Sequence, residues 1–193
     1  MRETDHNKLD RMFIDRWSPR TFSSEPIKEG DIHTMFEAAR WSPSCFNEQP
    51  WRFVYAHRQD DLEMFRSVLA EGNQVWANSA PLLVLVFSKR HFTHNGKPNR
   101  WANFDTGAAW MALALQAYQL GLYTHGMGGF DAEKAFLATG INPAEYNALC
   151  AIAIGKLGDP NDLPEGLRER EAPSDRKTMG DIVYEGRFSE DDS

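Results

Sequence analysis

The run Pro81-Leu-Leu-Val-Leu-Val-Phe87 constrains the fold more than any other stretch of the chain. It is short, continuously apolar and free of polar alternation, so it reads as a central strand buried on both faces. Leu149 to Gly155 repeats the pattern, and Trp51 to His57 and Leu122 to His125 supply two further strands. Between them lie helical periods. Residues 6 to 14 make a short first helix, and Ile27 to Arg40 a second, with Ile32, Met35, Phe36 and Ala39 on one face. Asp60 to Leu69 follows. Trp101 to Leu120 is the longest helix, apolar on most sides and ended by Gly121 as a C-terminal cap. A helix that apolar is buried within the protomer or against a second one. Asp131 caps a last helix that stops at Gly140. The pattern is α+β: a mixed sheet wrapped by helices.

A chain of 193 residues with 41% hydrophobic and 25% charged side chains builds one domain with a real core. The net charge of -7 argues against nucleic acid or an anionic membrane as the main partner. The first residues contain no signal-like apolar stretch, and the longest apolar run is too short to cross a bilayer. With only Cys45 and Cys150, a disulfide framework is not expected and a reducing cytoplasm is the default.

Two segments carry the chemistry. In Arg16-Trp17-Ser18-Pro19-Arg20-Thr21-Phe22, Pro19 fixes its own φ and pushes Ser18 toward extended backbone. Arg16, Ser18 and Arg20 then share a face, two guanidinium forks around a hydroxyl, which suits a phosphate group. In Arg40 to Phe53 a helix stops at Pro43, and Ser44, Cys45, Asn47 and Gln49 crowd the turn before Pro50-Trp51 opens a strand. That turn offers hydrogen bonds without a strong acid or base, so it suits gripping a polar heterocycle. His91 and His94 lack Cys or carboxylate partners at ligand spacing, so no metal site is expected.

These segments, with Asn73 to Pro81, Asp105-Thr106-Gly107, His125 to Asp131 and Ile152 to Gly155, resemble the nitroreductase family. The matching patterns are Arg-x-Ser-x-Arg-x-Phe at Arg16 to Phe22 and Ala-x-x-x-Pro-Ser-x-x-Asn-x-Gln-Pro-Trp-x-Phe at Ala39 to Phe53. The resemblance implies a largely antiparallel central sheet in an intertwined homodimer, with flavin mononucleotide (FMN) at the interface. Arg16, Trp17, Ser18, Arg20 and Arg176 would then serve the phosphate and ribityl end, with Lys177 a weaker candidate. Pro43, Ser44, Cys45, Asn47 and Gln49 would line the ring pocket of the flavin held mainly by the other subunit. Gly128 and Gly129 would bring backbone N–H groups close to the ring. Trp76 and Phe104 would shape the substrate pocket. His125 reads as a structural histidine near the glycines.

The resemblance further implies hydride transfer from NADH or NADPH through flavin N5 to an electron-poor acceptor such as a nitroaromatic or quinone, in ping-pong order. An FMN carrier or sensor with little turnover is the alternative. The polar tail, about 157–193, holds Ile182, Val183, Tyr184 and Phe188 beyond the last core strand, so it is expected to dock on the partner subunit. Ser189 to Ser193 are expected to be disordered.

Overall fold

The structure, a computed structural model, describes residues 4, 6 and 8–188. The expectation for Ser189 to Ser193 therefore lies outside the described residues. Strands β1 (Trp51–Ala56), β2 (Leu82–Lys89), β3 (Tyr123–Met127) and β4 (Tyr146–Gly155) form one sheet in the order β1-β2-β4-β3. Every pairing among them is antiparallel. The helices are α1 (Met12–Asp15), α2 (Glu29–Arg40), α3 (Gln59–Val68), α4 (Glu71–Ala77), α5 (Ala102–Gln119), α6 (Ala132–Thr139) and α7 (Glu165–Arg168). This is the expected α+β architecture.

The two apolar runs occupy the two central positions, and their alternation sorts the core into two layers. Leu82, Val84 and Val86 of β2 join Ile152 and Ile154 of β4 against Ile32, Met35 and Ala39 of α2 and Ala109, Leu113 and Ala117 of α5. On the opposite face Leu83, Leu85 and Phe87 meet Ala151 and Ala153, under α3, α4 and α6. Both sides of β2 are therefore dry, which explains why its sequence shows no polar alternation. Each fully buried Leu or Ile here contributes about 1.5–3 kcal/mol through apolar burial.

Helix α5 ends as its glycine requires. Gly121 has φ 75°, its N–H reaches the Tyr118 carbonyl and that of Leu122 reaches Ala117, both at 2.9 Å. These two bonds satisfy carbonyls that the last helical turn leaves open. Asp131 caps α6 by accepting from the Lys134 N–H at 3.0 Å.

Three local details differ from the sequence reading. The first helix is confined to Met12–Asp15, because Asp10 accepts from the Met12 N–H in a tight side-chain turn and Arg16 is already extended. Helix α4 is additional; its seven residues, with a glycine inside, give too little periodicity to declare it. Strand β4 begins earlier, at Tyr146, because Tyr146, Asn147 and Ala148 continue the ladder opposite Lys89, Ser88 and Phe87.

The tail starts by running beside the segment that follows Pro19. Phe22 bridges Leu157, and Gly158 donates to the Thr21 carbonyl. A side chain at Gly158 would meet the Phe22 backbone at 2.8 Å, so this close approach demands glycine. Leu163 is buried, but Met179, Ile182, Val183 and Phe188 farther on are exposed by 57–68%. No helix among the described residues is long and apolar enough to cross a membrane.

Candidate functional site

The two ends of the chain meet in a cationic cavity of about 360 Å³. Trp17, Ser18 and Arg20 enter from the extended N-terminal segment, His125 from β3, and Arg170, Ser174 and Arg176 from the tail. Ser18 and Arg20 share this wall, but Trp17 between Arg16 and Ser18 enters it too, so the wall is not a simple alternating face. Arg16 is half-buried and lies outside this wall, while Trp17 belongs to it and packs edge-on to Tyr123, 6.5 Å between ring centres. Arg176 is oriented by its own loop: Nη1 donates to the Ser174 carbonyl, the Ser174 hydroxyl and the Asp175 carbonyl at 3.0–3.1 Å. Lys177 instead faces a neighbouring cavity of about 660 Å³, together with Phe13, Ile14 and Met179.

One carboxylate holds the two chain ends together. Oε1 of Glu171 accepts from the N–H groups of Arg20 (2.7 Å) and Thr21 (2.9 Å) and from the Thr21 hydroxyl (3.0 Å). Thr21 is only 4% exposed, so these donors would otherwise be buried without acceptors. Arg170, next to this residue in sequence, lines the same cavity as Arg20. His125 completes the wall. Its Nδ1 lies 2.8 Å from the Pro19 carbonyl, and its ring centre is 4.5 Å from that of Trp76. Burial lowers the His125 pKa below the ordinary 6.5, and the Arg20 charge pushes the same way, against bonds to the Pro19 and Ser18 backbone and the charge of Glu171.

The turn after α2 is built from strained backbone. Phe46 (φ 54°), Asn47 (φ 54°) and Gln49 (φ 50°) are all left-handed without being glycine. Such residues cost about 1–3 kcal/mol each and persist only where their surroundings hold them, as they do here. Asp105 of α5, itself 5% exposed, accepts from the Cys45 N–H at 3.0 Å. The Ser44 hydroxyl accepts from the Gln49 N–H at 2.9 Å, and the Gln49 amide donates to the Asn47 carbonyl and side chain. Glu48 accepts from the Thr93 N–H at 2.8 Å and from its hydroxyl, which ties the turn to the loop after β2. Phe46, 79% exposed, stands over Phe92 and His94 of that loop. Pro43 is exposed at the start of the turn. None of these residues enters the wall of the cationic cavity.

The profile of the nitroreductase family matches residues 14–75 and 56–156, most of the chain. The chain belongs to the nitroreductase family. A solved oxidoreductase containing FMN is 43% identical and superposes with a TM-score of 0.93 over 97% of this chain and 96% of its own. A Streptomyces griseus protein named "Putative NADH dehydrogenase/NAD(P)H nitroreductase" is 26% identical over 82% of this chain and 90% of its own length. A nitroreductase family protein from Clostridium difficile 630, 19% identical with a TM-score of 0.72 over 92% of this chain and 98% of its own, shares the fold.

In this nitroreductase-family chain the remaining candidates fall in different places. The Gly129 carbonyl accepts from the Ala70 N–H (3.0 Å) and the Asn73 amide (2.8 Å), and a side chain at Gly129 would meet Asn73 at 2.8 Å. Packing against α4 therefore accounts for that glycine, whereas Gly128 has open space beside it. Trp76, expected in a pocket wall, is a core residue at 4% exposure, stacked on Phe22 behind His125. Phe104 is 76% exposed on α5 beside Trp101. Cys150 is half-buried, its thiol pushed up to about 11 by burial. No cluster able to hold a metal occurs among the described residues, and His91 and His94 lie in the loop after β2.

Sequence reading missed Arg170, Glu171, Asp105 and Glu48 as parts of the site. Arg170 and Glu171 sit in the charged run Leu167-Arg-Glu-Arg-Glu171, which carries no local sign of a fixed position. For Asp105 the available signals were the Asp105-Thr106-Gly107 match and an acidic residue in the first turn of a largely apolar helix.

Proposed function

We propose that this chain is an FMN-dependent oxidoreductase that uses NADH or NADPH to reduce an electron-poor acceptor such as a nitroaromatic or quinone, in ping-pong order and as a homodimer. The observation that carries the reading is the cavity in which Ser18, Arg20, Arg170 and Arg176 converge from opposite ends of a chain whose net charge is -7. Guanidinium forks gathered against that overall charge suit a phosphate monoester. The 43% identical relative containing FMN supports flavin mononucleotide as the molecule that brings the phosphate.

When bound, FMN supplies the two-electron redox chemistry; the chain supplies binding, orientation and electrostatics. Arg20, Arg170 and Arg176 neutralise the phosphate and Ser18 donates its hydroxyl, with Arg16 and Trp17 alongside. Pro43, Ser44, Cys45, Asn47 and Gln49 present a rigid polar rim to the ring system held mainly by the partner subunit. That division of labour fits a turn that shares no wall with the phosphate cavity in its own protomer. Gly128 leaves room for close backbone approach, with Gly129 behind it. Phe104 offers an exposed aromatic face to the acceptor, and Trp76 supports the wall through His125. Beyond the stretch from Leu157 to Glu171 that packs on its own protomer, the tail docks on the partner, burying the exposed Met179, Ile182, Val183 and Phe188. The whole chain, 1–193, works as a single domain in the cytoplasm.

The absorbance spectrum of the purified protein tests this reading directly. Flavin bands that bleach on anaerobic addition of NADH or NADPH, and return with menadione or nitrofurazone, are the expected result. Failure to bind FMN after incubation would overturn it; bound flavin with no reduction by either nucleotide would leave a carrier.

A further inference from the structure

We infer that His125 is a direct ligand of the phosphate group and takes up a proton as that group binds. The inference rests on the FMN reading and adds to it a residue and a proton.

The geometry assigns the ring its state before binding. A backbone carbonyl only accepts, so the 2.8 Å contact with Pro19 places a proton on Nδ1. Nε2 is the nitrogen that Pro19 does not engage, on a ring that forms part of the cavity wall beside the Ser18 backbone. Trp76 backs the ring from the core side and Pro19 fixes its rotation, so it cannot swing away without breaking both contacts. The charged groups around it are Arg20 from the N-terminal segment and Arg170, Glu171 and Arg176 from the tail. Without a ligand, burial and the Arg20 charge hold the His125 pKa below the ordinary 6.5, which favours the neutral ring at pH ~7.5.

A bound phosphate reverses this balance. Its second ionisation lies near pH ~6, so at pH ~7.5 it arrives chiefly as a dianion. A dianion against Nε2 favours the imidazolium, which donates from Nε2, where the neutral tautomer can only accept. The proton comes from solvent, and no bond is made or broken other than N–H.

The test is titration calorimetry of the flavin-free protein with FMN at pH 7.5 in buffers of different ionisation enthalpy, which counts protons exchanged on binding. The native chain is expected to take up roughly 0.5–1 proton per FMN. His125→Gln retains a donor for the Pro19 carbonyl but does not ionise. It should take up none and bind FMN about tenfold more weakly. Riboflavin, which lacks the phosphate, should bind both proteins without proton uptake. A merely structural histidine would alter affinity for both flavins and leave the proton count unchanged. FMN binding without uptake by the native chain, or equal uptake by His125→Gln, overturns the proposal alone. No FMN binding by the native chain overturns it together with the proposed function.

Discussion

The cationic cavity and the strained turn are both fixed by carboxylates, but for opposite physical reasons. At the cavity, Glu171 collects donors from residues about 150 positions away and brings mutually repelling arginines to one place. At the turn, Asp105 and Glu48 hold backbone that would otherwise relax. One region stores charge repulsion and the other stores conformational strain. Each is stable only because a side chain from elsewhere in the fold over-determines it. The difference matters for what each can do: crowded charge waits for an anion, whereas fixed strain presents a rim that does not rearrange when a flat ligand arrives.

The largest expected effect comes from removing the clamp at the cavity. Glu171→Ala strands the Thr21 hydroxyl and the N–H groups of Arg20 and Thr21, and Thr21 is buried. Charge-assisted bonds of this kind put the loss at about 2–3 kcal/mol, since all three share one oxygen and do not add. For a chain of this size that lowers Tm by roughly 4–12 °C. FMN affinity should fall more than riboflavin affinity, because Arg20 and Arg170 lose their common anchor. Equal losses for both flavins would mean that Glu171 serves only stability, and the contrast between the two regions would fail.

That clamp also marks where the sequence stopped being readable. β2 and β4 announced themselves because burial on both faces leaves a continuous apolar run, a purely local trace. Ser18 and Arg20 were legible because Pro19 dictates their backbone, and the turn because Pro43 and Pro50 bracket it. Glu171 and Arg170 were not, since their positions follow from the Phe22–Leu157 bridge and the glycine contact at Gly158. The core position of Trp76 was unreadable for a related reason. It lies in α4 (Glu71–Ala77), a helix too short to show a period, so its inward direction had no local signature. Local chemistry predicts what a residue can do; only the fold decides which residue meets it.

A second variant probes the strain. Phe46→Gly removes a left-handed non-glycine residue whose side chain is 79% exposed, so little burial is lost. Relief of about 1 kcal/mol should raise Tm by roughly 2–4 °C, while turnover falls as the rim loosens. Thermal melts together with steady-state NADH oxidation would show the two changing in opposite directions. If stability dropped instead, the contacts of Phe46 with Phe92 and His94 would outweigh its strain, and the turn would be an ordinary packed loop.

The smallest effect separates the two carboxylate roles by pH. The Glu48 side chain is 5% exposed, and its burial alone would raise its pKa. Hydrogen bonds from Thr93 and the charges of Lys89 and His94 outweigh burial and hold it below the ordinary 4.5. A carboxyl whose folded pKa is depressed stabilises the fold above its unfolded pKa and stops doing so as pH falls through the folded value. Glu48→Gln keeps an acceptor for the Thr93 N–H but no charge. It should therefore melt roughly 1–3 °C below the native chain near neutral pH, with the gap closing below about pH 4.5. A gap that persists in acid would show that the shape of Glu48, not its charge, ties the turn to the loop. The turn would then depend on fit where the cavity depends on charge, which sharpens the distinction between them.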